Sequence, residues 1–140
     1  MTVKIAGFWE NAWQAPLNEF DLWIHPLREF GIDEMHMVPN TGINSVKSRV
    51  HEYDDLEYIL NKFPELPRVF VDEAADTSLT DFVHPADALY IFGKTSLAPY
   101  KIYAQPGDHV VKIDTVTNNG GFWSHQAASM LLYDRFTKGL

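Results

Sequence analysis

The chain has 140 residues, 46% of them apolar and 21% charged, a balance that fits an ordinary soluble globular protein with one domain spanning residues 1–140. Its net charge of −8 works against a general nucleic-acid binder, because backbone affinity comes from lysine and arginine neutralising phosphates, yet it leaves room for a local RNA contact. The absence of cysteine excludes a disulfide framework, a thiolate metal site and a cysteine nucleophile, and no apolar run approaches the ~20 residues a membrane span needs, so a cytoplasmic location without membrane contact is expected.

Val3 to Trp9 reads as a first strand, short and rich in apolar and aromatic residues, and not as a signal peptide. From Pro16 to Phe30 the residues Leu17, Phe20, Trp23, Ile24, Leu27 and Phe30 recur at threes and fours, which predicts an amphipathic helix. Pro16 suits its first turn, Pro26 should kink or shorten it, and Gly31 should close it. Ile32 to Val38 supplies a second strand, stopped by Pro39-Asn40-Thr41-Gly42. A second helix runs from Asp54 or Asp55 to Phe63, capped by an Asp and ended by Pro64. Arg68–Val71, Ala88–Phe92 and Val110–Ile113 read as three further strands, and Ser124 to Phe136 as a closing helix. Strands alternating with helices imply an α/β domain with a mostly parallel sheet and helices on both faces. Ligands of such sheets bind outside the carboxyl ends of the strands, here the loops after Val71, at Gly93 and after Ile113.

The run Asn118-Asn119-Gly120-Gly121-Phe122-Trp123-Ser124-His125 places two asparagines and two glycines between a strand and a helix. Such a loop lets backbone donors approach a ligand; equally, it can be a surface turn with Ser124 as helix cap. The six histidines show no metal-ligand spacing, so no metal is expected, and the usual dinucleotide, nucleoside-triphosphate and hydrolase signatures are missing. Asp72-Glu73 follows a strand end, where it either faces a ligand or forms a turn.

The run His84-Pro85-Ala86-Asp87-Ala88-Leu89-Tyr90-Ile91-Phe92-Gly93 resembles the second motif of the SPOUT RNA methyltransferases, a strand ending in an apolar pair and a glycine. The strand ending at Ile113 and the segment Gly121 to Tyr133 resemble their third motif and final helix. The spacing is similar to that of the small single-domain tRNA ribose 2′-O-methyltransferases of this class, and the likeness extends at fold level over nearly the whole chain. The resemblance implies a C-terminal trefoil knot, S-adenosylmethionine as cofactor, an RNA substrate (tRNA or rRNA, ribose or base) and a homodimer built on the first and last helices. It also implies that Val71, Phe92, Gly93, Ile113 and Gly121 line the cofactor pocket with Ser124 at its rim. His25, Arg28 and His125 are the candidate catalytic groups: a neutral histidine can serve as base, and Arg28 can hold a phosphate or the methionine carboxylate. As plain structural residues, His125 would cap a helix and Arg28 would face solvent.

The chain departs from the family pattern at three places. Thr95 stands where a glutamate usually follows the motif-two glycine, Gly121-Phe122-Trp123 replaces a Ser-Leu-Asn-like run, and His25 replaces the motif-one arginine. The alternative reading is therefore a diverged S-adenosylmethionine-binding protein acting as sensor, sequestering or partner module. A third is an enzyme of this type acting on something other than RNA.

Overall fold

Along the strand Ala88–Phe92 every residue is buried, as a strand covered on both faces must be. In the computed structural model, which describes residues 1–140, this strand is β6 of a seven-stranded sheet. The strands are β1 (Val3–Phe8), β2 (Met35–Val38), β3 (Val50–Glu52), β4 (Arg68–Val71), β5 (Thr77–Ser78), β6 and β7 (His109–Lys112). Their order is β3-β2-β1-β6-β4-β7-β5, and every pairing is parallel. An all-parallel sheet requires crossovers, and these lay helices on both faces.

The side-chain alternation sorts the two faces. Ile5, Val69, Tyr90, Phe92 and Val111 join Trp23, Ile24 and Leu27 of α1 (Pro16–Glu29) and Ala128, Leu131 and Leu132 of α4 (Ser124–Thr137) in one core. Ala6, Val38, Phe70, Leu89 and Ile91 join Leu56, Ile59 and Leu60 of α2 (Leu56–Lys62) in the other, with Tyr100 and Tyr103 of the short α3 (Tyr100–Tyr103) packed against it. The expected α/β architecture with helices on both faces is thus what the chain adopts. No helix is long and apolar enough to cross a membrane.

Local chemistry explains most element ends. Pro16 opens α1, and Gly31, at φ +80°, closes it by donating its N–H to the Arg28 carbonyl at 3.0 Å. The Asp55 side chain caps α2 by accepting from the Glu57 amide at 3.2 Å. Pro26 does not shorten α1, which runs on to Glu29. The carbonyl it leaves without a donor belongs to Leu22, on the exposed side of the helix, where water can serve it. The second strand begins at Met35 instead of Ile32, and the last one a residue earlier than expected, at His109. Five elements were not anticipated: β3, β5 and α3, of three, two and four residues, and two 3-10 turns, Ile43–Ser45 and Leu79–Asp81, are too short to show a period.

A buried polar cluster fastens α4 to the start of β6. Arg135, 5% exposed, donates to the Pro85 and Ala86 carbonyls at 2.6 Å each and to the Tyr90 hydroxyl at 2.9 Å. His84 lies between Tyr90 Oη and the Asp134 carboxylate, 2.8 Å from each. The motif-like histidine of the sequence is therefore a structural tie near the last helix. Hydrogen bonds to a buried guanidinium hold the chain tightly because an unpaired charge there would be costly.

On the opposite face His36 is 2% exposed, stacked on His51 with ring centroids 5.0 Å apart, and bonded through Nδ1 to Tyr53 Oη at 3.0 Å. Burial, helped by the charges of His51, Lys4 and Lys62, lowers its pKa from 6.5 to about 3. Burial likewise lowers the pKa of His84, outweighing Asp134, and that of His125. Below pH 6.5 the unfolded chain takes up protons that the folded chain refuses. The stability these groups give is complete above that pH and falls with acid, by about 1.4 kcal/mol per pH unit for His36 alone until its folded pKa is reached. The denaturation midpoint should drop as pH is lowered from 7 to about 4.5, and His36→Phe should make that drop shallower. Equal steepness in the variant would contradict this assignment.

Candidate functional site

Parallel pairing of β6 with β4, and of β4 with β7, makes the three strands end on the same edge of the sheet. The loops that follow them enclose one cavity of about 130 Å³, the scale of a single ring system. Val71, Asp72 and Glu73 come from the first loop, Phe92 to Thr95 and Leu97 from the second, and Ile113, Gly120 and Phe122 from the third. Trp123, Ser124 and Ala127 add the start of α4, and Glu10 reaches in from the loop after β1. The lining mixes apolar side chains, among them Val71, Phe92, Leu97 and Ile113, with the charged Glu10, Asp72, Glu73 and Lys94.

Gly93 sets the shape of the second loop. A Cβ there would stand 2.4 Å from the Leu97 carbonyl oxygen and 2.8 Å from Pro99 Cδ, so no side chain fits. Lys94 and Leu97 bridge each other across the turn at 3.2 and 2.9 Å. Ser124 Oγ donates to the Gly93 carbonyl at 2.5 Å, which ties the N-terminus of α4 to the end of β6. In the third loop Gly120 has φ +64°, and a Cβ would lie 2.6 Å from Glu73 Cδ. The amides of Gly120, Gly121 and Phe122 donate to no acceptor within the chain. Gly120 and Phe122 line the cavity, so their amides are donors without a protein partner at its edge.

The loop carrying Glu10 is itself anchored. Trp9 Nε1 donates to Glu52 at 2.9 Å, and the buried Glu19 carboxylate accepts from the amides of Glu10 and Asn11 at 2.9 to 3.0 Å and from Trp23 Nε1 at 3.2 Å. The Glu10 carboxylate in turn accepts the Thr95 amide, its two oxygens at 3.1 and 3.3 Å.

Val71, Phe92, Gly93, Ile113 and Ser124, five positions singled out from sequence, line this one cavity. Gly120 lines it in place of Gly121, whose missing Cβ has open space around it. His25 and Arg28 are exposed on α1 and do not line the cavity. His125 packs edge-on against Trp23 and Trp123, at 6.4 and 5.6 Å, with Nε2 shut off from solvent and unpartnered. Sequence reasoning missed Glu10, Lys94 and Leu97. Glu10 lies 85 residues from its partner Thr95, and nothing in its local sequence signals that contact.

By sequence, no family model and no curated protein matches the chain. By structure, it superposes on a protein solved to explain 2-OH methylation of C/U34 on tRNA, with TM-score 0.73, 14% identity, and 98% of this chain and 90% of the other covered. It also superposes on the SpoU methyltransferase AviRb from Streptomyces viridochromogenes in complex with AdoMet, at TM-score 0.72 and 13% identity, covering 99% of this chain and 57% of that one. The fold is that of the SpoU methyltransferases. An AdoMet-bound rRNA methyltransferase from Sinorhizobium meliloti shares it, at TM-score 0.68 and 9% identity, with 99% of this chain and 57% of the other covered. The chain thus spans little more than half of the last two proteins and nearly all of the first.

The three loop glycines differ in what they tolerate. Gly93→Ala and Gly120→Ala should each cost about 1–3 kcal/mol in denaturant unfolding, through overpacking and, at Gly120, positive φ. Gly121→Ala should be neutral within about 0.5 kcal/mol. Equal costs at all three positions would mean that the loops do not pack this way.

Proposed function

We propose that the chain is an S-adenosylmethionine-dependent methyltransferase acting on RNA. The observation that carries this reading is the cavity made by the loops after β4, β6 and β7, in a fold shared with AdoMet-bound methyltransferases. The cavity fits the group. Val71, Phe92, Leu97 and Ile113 offer a flat ring apolar contacts, and the free amides of Gly120 and Phe122 are available to its polar edge. A slot of this size takes the adenine and leaves the rest of the cofactor at the charged mouth. When bound, the cofactor supplies an electrophilic methyl group.

The residues of this chain would act mainly by placement, which is the larger part of what a methyl transfer needs. Ser124 holds the Gly93 carbonyl and thereby the loop that closes the slot. Trp123, 51% exposed at the mouth, offers a face on which a splayed base can stack. His125, kept neutral by burial, backs Trp123 and steadies that face. His25 and Arg28 stand on the outer face of α1 and, in this reading, serve the cavity of a second subunit, Arg28 by holding a phosphate and His25 as base. A homodimer supports that arrangement: Tyr133 and Phe136 of α4 are 59% and 63% exposed beside Phe30 at the end of α1, an aromatic face suited to self-association. The resemblance of the motifs is what supports reading the C-terminal segment as threaded into a trefoil knot.

The second reading, a binding protein that no longer transfers methyl groups, is favoured by the position of His25 and Arg28 outside the cavity and by the acidic rim. One experiment separates the two. Incubation with labelled S-adenosylmethionine and total RNA, followed by nucleoside analysis, should give one methylated nucleoside, and Arg28→Ala should reduce its yield at least tenfold. Stabilisation by the cofactor without transfer supports the second reading, and no stabilisation rejects both. Light scattering at micromolar concentration should give a dimer that Phe136→Asp dissociates, whereas a monomeric wild type would remove the shared-site role of His25 and Arg28.

A further inference from the structure

We propose that Glu10 is the residue that makes this cavity prefer the cationic, methyl-bearing cofactor over its demethylated product. The inference rests on the S-adenosylmethionine reading above and names the group that sets selectivity within it. Glu10 is held in place from both sides. Its amide is fixed by the buried Glu19 carboxylate, and its own carboxylate crosses to the Thr95 amide on the loop after β6. Both oxygens share that single N–H, which leaves most of their acceptor capacity unused in a residue that lines the cavity. Glu10 forms no ion pair with any lysine, arginine or histidine of the chain.

The other carboxylates of the lining are not fixed across loops. Asp72 Oδ1 accepts the Ala74 amide at 2.9 Å and so closes its own turn, and Glu73, beside Gly120, accepts no hydrogen bond. Lys94 is the one cation of the lining. The mouth therefore carries more negative than positive charge, and Glu10 is the part of it fixed across two loops. Before transfer the cofactor has a sulfonium; afterwards the sulfur is a neutral thioether, while the ammonium and carboxylate of its amino-acid end are unchanged. A fixed carboxylate at the mouth thus favours the sulfonium form over the neutral thioether. The partly exposed setting limits the effect to a few-fold in affinity.

Titration calorimetry on the intact protein with S-adenosylmethionine and with S-adenosylhomocysteine tests this. The Glu10→Gln variant keeps an oxygen that can accept the Thr95 amide and loses only the charge. It should weaken S-adenosylmethionine about three- to fivefold and leave S-adenosylhomocysteine within about twofold. On the wild type, added salt should weaken the first ligand and spare the second, a readout that needs no variant. An unchanged affinity ratio in Glu10→Gln, or equal salt sensitivity of both ligands, overturns the role of Glu10 while leaving the cofactor reading standing. Binding of neither ligand to the wild type overturns both.

Discussion

The parallel register that sets β6 between β1 and β4 governs everything else in this molecule. Because β1, β6, β4 and β7 all run the same way, the segments that leave them emerge on one edge. Residues from 10 to 127 can then meet around one cavity. The same register requires helices on both faces, so β6 must be apolar throughout, and its Tyr90 hydroxyl needs Arg135 and His84 as partners. Site and core are consequences of one pairing pattern.

Charge is handled differently inside the protein and at the cavity. Inside, each charged group has a defined partner: Glu19 takes main-chain amides and an indole, and Arg135 takes carbonyls. At the cavity mouth, the Glu10 carboxylate has one amide and no counter-ion. The difference has a physical meaning, since an unpaired buried charge would destabilise the fold whereas one at a wet rim costs little and remains available to a ligand. An acidic rim also bears on how a polyanion could approach. Phosphates would have to be met away from the mouth, on surfaces such as the exposed face of α1 that carries Arg28.

Much of this was legible in the sequence, for identifiable reasons. The strands Arg68–Val71 and Ala88–Phe92 match their expected bounds because short runs with a buried apolar centre between turn signals have few other solutions. The helix from Ser124 was legible from its apolar spacing, and the loops after Val71, at Gly93 and after Ile113 from the rule that ligands meet parallel strands at their carboxyl ends, whereas the individual residues Val71, Phe92, Gly93, Ile113 and Ser124 came from the family resemblance. Gly120 and Gly121 could not be told apart, since only the conformation shows which one lies against Glu73. Glu10 was illegible because its role depends on a contact with Thr95 that only the folded sheet creates. His84 and His125 carry no sequence mark that separates a buried structural ring from a reactive one, and their burial is a tertiary fact.

In the function proposed for this protein, the three loops at the carboxyl ends of β4, β6 and β7 hold S-adenosylmethionine. Amide hydrogen exchange with and without saturating cofactor tests that most directly, because it reads where a ligand lies and not only whether it binds. Protection should rise in residues 71–75, 92–99 and 113–124, and α2 with the His36–His51 stack should be unchanged. Protection confined to other segments, or none at saturating cofactor, would contradict the claim.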